Sequence, residues 1–219
     1  MSRRRTFSEL AFAGDTQDPD LPVEWARGVA FQILKWMWQA FDQLRVGHLQ
    51  RVDLTQPLDQ LERDLTRNHF LDLQAVFQRE TDGFPSVFPS HEWPEMETRS
   101  SSKAKPPAYD FAFVHFEHRR WAWPIEAKVL SAPGTLHEYL KDVRQKFEEG
   151  IAAPLVGEGA MIGYLITGTA DEVFANLRAR LSTTLDAVAE FADRPHQSSN
   201  HQRASNPALR LHHMIMVCN

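Results

Sequence analysis

The stretch Tyr109-Asp110-Phe111-Ala112-Phe113-Val114, followed after a polar hinge by Trp123-Pro124-Ile125-Glu126-Ala127-Lys128-Val129-Leu130, decides how this chain is read. Both segments are apolar runs of strand length, and Glu117-His118-Arg119 supplies the turn of a hairpin. Three charged groups stand where strands normally carry Val or Ile: Asp110 near the start of the first, Glu126 and Lys128 in the middle of the second. Side chains alternate faces along a strand, so Glu126 and Lys128 point the same way and Ala127 points away. An antiparallel hairpin folded about residues 117–119 puts Asp110 opposite Glu126, and directly paired residues share a face. Two carboxylates and an ammonium then converge on one patch of sheet, which costs stability unless something uses them.

Downstream, Ser131-Ala132-Pro133-Gly134 reads as a turn, and Thr135 as the N-cap of a helix that runs to about Glu149 and is closed by Gly150. Its apolar stripe is Leu136, Tyr139, Leu140, Val143 and Phe147, with Lys141, Arg144, Gln145 and Lys146 on the flank. The nearly continuous apolar run Gly159–Gly168 predicts a strand buried on both faces. A long amphipathic helix is expected over residues 171–191, then a polar loop over 193–207 and a last strand over 209–217.

Upstream, residues 23–49 are helical in pattern, with Trp25, Val29, Ile33, Trp36, Met37, Phe41 and Leu44 at three- and four-residue spacing. Trp36 and Trp38 spread apolar surface over more than one face, which points to a second contact such as another subunit. A second helix is expected from about Gln56 to Gln78, capped by Thr55, with Glu62 at the edge of its buried face. Phe84–Pro89 reads as a short edge strand, His91–Arg99 as irregular, and residues 100–107 as a loop whose Lys103 and Lys105 can approach a phosphate backbone. The order from residue 56 onward is helix, three strands, helix, strand, helix, strand: an α/β domain with a mixed sheet between helices. Residues 1–54 form an N-terminal arm and aromatic-rich helix, and residues 55–219 the main domain.

Glu-x-Lys alone is close to a chance tripeptide; its setting gives it weight. On Asp110, on Glu126-Ala127-Lys128 and on the αβββαβ order, residues 56–217 resemble the PD-(D/E)xK nuclease superfamily, the restriction-endonuclease-like fold. Tyr109 stands where the family's name has proline, with Pro106 and Pro107 just upstream. The resemblance implies a Mg²⁺-dependent nuclease that hydrolyses phosphodiester bonds of DNA, an endonuclease of a microbial defence or genome-maintenance system, with Mn²⁺ as a substitute metal. It implies that Asp110 and Glu126 bind the metal, that the Ala127 carbonyl adds a ligand, and that Lys128 positions or helps deprotonate the attacking water. Glu62 is the best match for the glutamate of the first core helix that completes such sites; His91 and Glu92 rank below it. Physical chemistry agrees: Mg²⁺ takes hard oxygen ligands, and cleavage needs an activated water and neutralisation of developing negative charge.

The alternative is a catalytically inactive nuclease-like module for nucleic-acid binding or assembly, its charged trio a buried salt-bridge cluster. RNA is the alternative substrate. The net charge of −5 opposes tight autonomous binding of nucleic acid, so a homodimer or a subunit of a larger complex is expected. A single cysteine, Cys218, and no apolar run of membrane-spanning length predict a cytoplasmic protein without an internal disulfide. His196, His201, His212 and His213 crowd the C-terminal end and read as surface or edge histidines; adjacent His212 and His213 point to opposite faces and do not share one zinc ion.

Overall fold

A computed structural model describes residues 20–81, 86–96 and 107–219. The arginine-rich start, Phe84-Pro85 and Lys103 and Lys105 lie outside the described residues. Helix α1 (Leu21–Gly47) opens with Pro22 in its first turn, where the missing N–H costs little. Its apolar residues cover two faces, and both are buried within the chain. Trp36 stacks on Phe113 at 5.9 Å and meets Phe77 edge-on at 5.1 Å. Trp38 lies against His196, with the Arg194 guanidinium 5.5 Å above its ring. The second contact inferred from these tryptophans is therefore supplied by this chain's own C-terminal strands.

Helix α2 (Leu58–Glu80) packs on α1 and on the sheet. Thr55 is not its cap: its N–H and hydroxyl both donate to Asp53 Oδ1, a local turn that competes with capping. His69 sits fully buried on α2, donating from Nε2 to the Met37 carbonyl at 3.0 Å and accepting at Nδ1 from the Tyr164 hydroxyl at 2.8 Å. A carbonyl only accepts, which fixes this tautomer.

Among the described residues the strands, numbered in chain order, form one seven-stranded mixed sheet in the order β1-β2-β3-β4-β7-β6-β5. Strand β1 (Val87–Pro94) is an edge strand, as expected, but it begins later and takes in His91 to Pro94, which the sequence reading left irregular. Strands β2 (Ala108–His115) and β3 (Ala122–Leu130) pair antiparallel from Phe111↔Ile125 to Val114↔Ala122, the register expected of the hairpin. Strand β4 (Glu158–Leu165) is buried along its whole length, and it runs parallel to β3 and to β7 (Leu209–Val217).

Between β3 and β4, helix α3 (His137–Asp142) continues as a π-helical turn over Val143–Glu148. Thr135 does not cap it; its hydroxyl donates to the Ala132 carbonyl and closes the preceding turn. Gly150 follows at a φ of +74°, a conformation that glycine adopts without strain.

Two further expectations change. Helix α4 spans only Ala170–Arg180, opened by a Thr169–Glu172 capping box. It stops where Leu181 turns extended, before Ser182-Thr183-Thr184, residues that lose helix propensity to side-chain and χ1 effects. Leu185, Val188 and Phe191 still reach the core from the short strand β5 (Asp186–Ala187) and a 3₁₀ turn over Ala189–Phe191. The expected polar loop contains strand β6 (His196–His201), which pairs with β7. The side chains of His196, Ser198, Ser199 and His201 are buried because they find hydrogen-bond partners in β6, β7 and neighbouring elements, not because they are apolar.

Candidate active site

The β2–β3 ladder ends at Phe111↔Ile125. Beyond it, β3 still presents N–H groups toward β2, and a buried N–H requires an acceptor. Side-chain carboxylates take that role. Asp110 Oδ2 accepts from the Ala127 N–H at 2.7 Å, and Glu62 Oε2, reaching in from α2, accepts from the Val129 N–H at 3.4 Å. The end of the hairpin thus draws acids from two elements onto β3.

The ammonium of Lys128 lies in the same place, 2.9 Å from Glu62 Oε1, 2.8 Å from the Ala127 carbonyl and 3.3 Å from Asp142 Oδ2. Lys146 comes from the π-helical turn and stands 2.7 Å from Glu126 Oε2 and 3.0 Å from Asp142 Oδ2. Charges therefore alternate along Glu62, Lys128, Asp142, Lys146 and Glu126. Asp142 Oδ2 has no hydrogen bond of good angle and is held by charge between the two ammoniums.

The structure thus brings Asp110, Glu126, Lys128, the Ala127 carbonyl and Glu62 into one neighbourhood. Asp142 and Lys146 are two residues that sequence reasoning missed, having left Lys146 on the helix flank; their i,i+4 spacing after the charged strand was the available signal. The β1–β2 register brings Glu92 level with Asp110, where its φ of 53° interrupts the pairing; it is exposed. His91 pairs with Phe111 and packs on Phe70 and Phe111, away from the acids.

Adding Asp110 gives four carboxylates against two ammoniums. Burial first, and then Asp110 and Asp142, push the Glu126 carboxyl up to about 8 against the opposing pull of Lys146. Burial also raises Glu62, against Lys128. For both lysines burial favours the neutral amine, but the surrounding acids outweigh it and both are raised.

Among the described residues no three acidic, histidine or cysteine side chains are grouped so as to cage a metal ion. The donor set nevertheless fits Mg²⁺, which is commonly held by one or two carboxylates with water and substrate phosphate, not by an all-protein cage. With Glu126 ionised, as a bound cation would hold it, two carboxylates in excess over the ammoniums match the charge of one divalent cation.

The C-terminal histidines are not at the surface. His196, His201, His212 and His213 are all at most 5% exposed. His213 lies on the α3 face, bonded to the Tyr139 hydroxyl and to Ser199. His212 lies on the α1 face, bonded to Glu158 and His196. Comparisons with protein-family models, curated proteins and solved structures return no match to this chain.

Proposed function

We propose that the chain is a Mg²⁺-dependent nuclease of restriction-endonuclease-like fold that hydrolyses DNA, an endonuclease of a microbial defence or genome-maintenance system. The observation that carries this reading is the convergence of Asp110, Glu126, Glu62 and Lys128 where the β2–β3 ladder ends. Asp110 and Glu126 would hold the metal, with the Ala127 carbonyl beside them. A bound Mg²⁺ supplies charge neutralisation at the phosphate and a more acidic water. Lys128, held protonated by its acidic neighbours, serves as a cation that orients water and offsets charge developing on the phosphate, not as a base. Glu62, bonded to Lys128 and raised by burial, would complete the metal site from α2.

The net charge of −5 leaves little bulk attraction for a polyanion, so the reading includes a second copy or a larger nucleic-acid-processing partner that supplies affinity.

A second reading, an inactive nuclease-like module, is favoured by one feature: Lys128 and Lys146 already close the acids into an ion-pair chain. The test is cleavage of plasmid, single-stranded DNA and RNA with Mg²⁺ or Mn²⁺, comparing the wild type with Glu126→Gln and Lys128→Met. Metal-dependent cutting that both variants lose while keeping wild-type circular dichroism supports the nuclease. No cutting of any substrate with either metal, alone or with a co-purified partner, supports the inactive module.

A further inference from the structure

A cavity lies on the α1 face of the sheet, opposite the face from which Asp142 and Lys146 approach. Its volume is about 130 Å³, and it opens beside a second hollow of about 300 Å³; the two share Arg27, Glu158 and Arg210. Glu158 opens β4 and is 5% exposed, although it lines both.

A directional wire of hydrogen bonds ends on this carboxylate. The Trp38 indole can only donate, and it donates to His196 Nδ1 at 3.3 Å. Neutral His196 therefore carries its proton on Nε2 and donates to His212 Nδ1 at 3.0 Å. His212 in turn carries its proton on Nε2 and donates to Glu158 Oε2 at 3.0 Å. Three donors in series thus point one way, and they orient Glu158 as a fixed acceptor.

The rest of the cavity carries two guanidiniums, Arg27 and Arg210, one further carboxylate, Glu190, and an apolar wall. Arg27 and Arg210 act on Glu158 only at a distance, without a contact ion pair among the described residues, and Arg210 donates from Nε to Ser198 Oγ at 3.3 Å, which leaves its terminal nitrogens toward the cavity. The outer wall is aromatic: Phe31, 51% exposed, packs at 5.6 Å on Phe191. A solvent-exposed phenylalanine beside arginines is a stacking surface next to an anion site.

We infer that this cavity binds a guanine nucleotide, its N1–H and 2-amino edge on Glu158, its ring against Phe31 and Phe191, and its phosphate at Arg27 and Arg210. Guanine alone among the common bases presents two parallel N–H donors on that edge, which a carboxylate accepts in bidentate fashion. Adenine and cytosine set a ring acceptor beside their amino group, and uracil flanks its N–H with carbonyls, so each turns an acceptor toward Glu158. The proposal does not depend on the nuclease reading, because none of Asp110, Glu126, Lys128, Glu62, Asp142 or Lys146 lines the cavity.

The test is calorimetric titration of the full chain at pH 8.5, where Glu158 is ionised, in EDTA with GMP, AMP, CMP and guanosine. The expected result is one GMP site, with AMP and CMP weaker by about ten- to a hundredfold, the discrimination typical of a bidentate contact to a base. Guanosine, lacking phosphate, binds more weakly than GMP. Glu158→Gln loses the preference for GMP over AMP, whereas Arg210→Ala weakens both alike. The wild-type comparison of GMP with AMP needs no variant to fold. A pair of short single-stranded oligonucleotides, one with a single guanine and one with adenine in its place, separates the two sources of this chemistry. Tighter binding of GMP assigns a free nucleotide, and tighter binding of the guanine strand assigns a unit within a strand. No saturation with GMP or the guanine strand, or equal binding of GMP, AMP and CMP, overturns the proposal.

Discussion

Acidification tests the buried histidines against the buried acids. Burial holds His69 down to about 4, His196 to about 2, and His212 and His213 to about 3, against 6.5 for the free side chain. In the unfolded chain all four take up protons below 6.5, whereas in the folded chain they do not. A histidine with a depressed folded value contributes stability that is complete above 6.5 and is lost as pH falls toward the folded value. Between pH 7 and 5 each loses about 1.9 kcal/mol, and the four together about 7.5 kcal/mol. Two carboxyls act in the opposite sense. Glu126, raised to about 8, and Glu158, raised to about 7, bind protons more tightly when folded and stabilise the fold as pH falls. Over the same interval they return about 2.5 and 2 kcal/mol, leaving a net loss near 3 kcal/mol. Below about pH 5 the acids contribute little more, because unfolded carboxyls also protonate, and the loss steepens toward about 4 kcal/mol per unit. Urea unfolding measured at half-unit steps from pH 7.5 to 4.5 reads this directly. A change under about 1 kcal/mol between pH 7 and 5, or native-state NMR in which these four histidines titrate near 6.5, refutes the reasoning.

Lys146→Met removes the ammonium from Glu126 and Asp142. The expected loss is about 2 kcal/mol near pH 7.5, less than for a fully buried pair because Lys146 keeps 30% of its side chain in solvent and Glu126 can protonate. Urea unfolding of Lys146→Met, of Glu126→Gln and of the double variant measures it, and a double-mutant coupling near zero rules the pair out. Thr169→Ala removes the capping box of α4 and costs about 1 kcal/mol by the same assay. Gly163→Ala puts a methyl group 2.7 Å from Leu130 Cδ1 and 3.0 Å from Ile215 Cδ1; overpacking at about 1–3 kcal/mol is expected as a lowered melting temperature.

Legibility in the sequence followed the kind of force at each position. The hairpin was readable because Phe111–Val114 and Trp123–Ile125 are apolar runs on either side of a short polar hinge, whose position fixes the register. β4 was readable because only a strand covered on both faces is apolar at every position. β6 was not, since His196, Ser198, Ser199 and His201 look solvent-loving until their mutual hydrogen bonds are known. α4 was overextended because Leu181, Leu185 and Val188 keep helical spacing without being helical. The acids of the site were legible from β2 and β3. Asp142 and Lys146 were not, because an i,i+4 acid–lysine pair on a helix flank reads the same in solvent as over a buried carboxylate, and only the tertiary fold sets it on Glu126.

Where the hairpin's ladder gives out, Asp110 does a backbone carbonyl's job for Ala127. Scaffold and reagent are the same atoms there, so alanine scanning asks two questions at once. Asp110→Ala leaves the Ala127 N–H without its acceptor, and an inert variant says nothing of chemistry until its fold is measured. Asp110→Asn keeps an oxygen for that N–H while discarding the negative charge, and Glu62→Gln does the same for Val129. The amide variants are therefore the pair that separates architecture from reactivity at this end of the sheet.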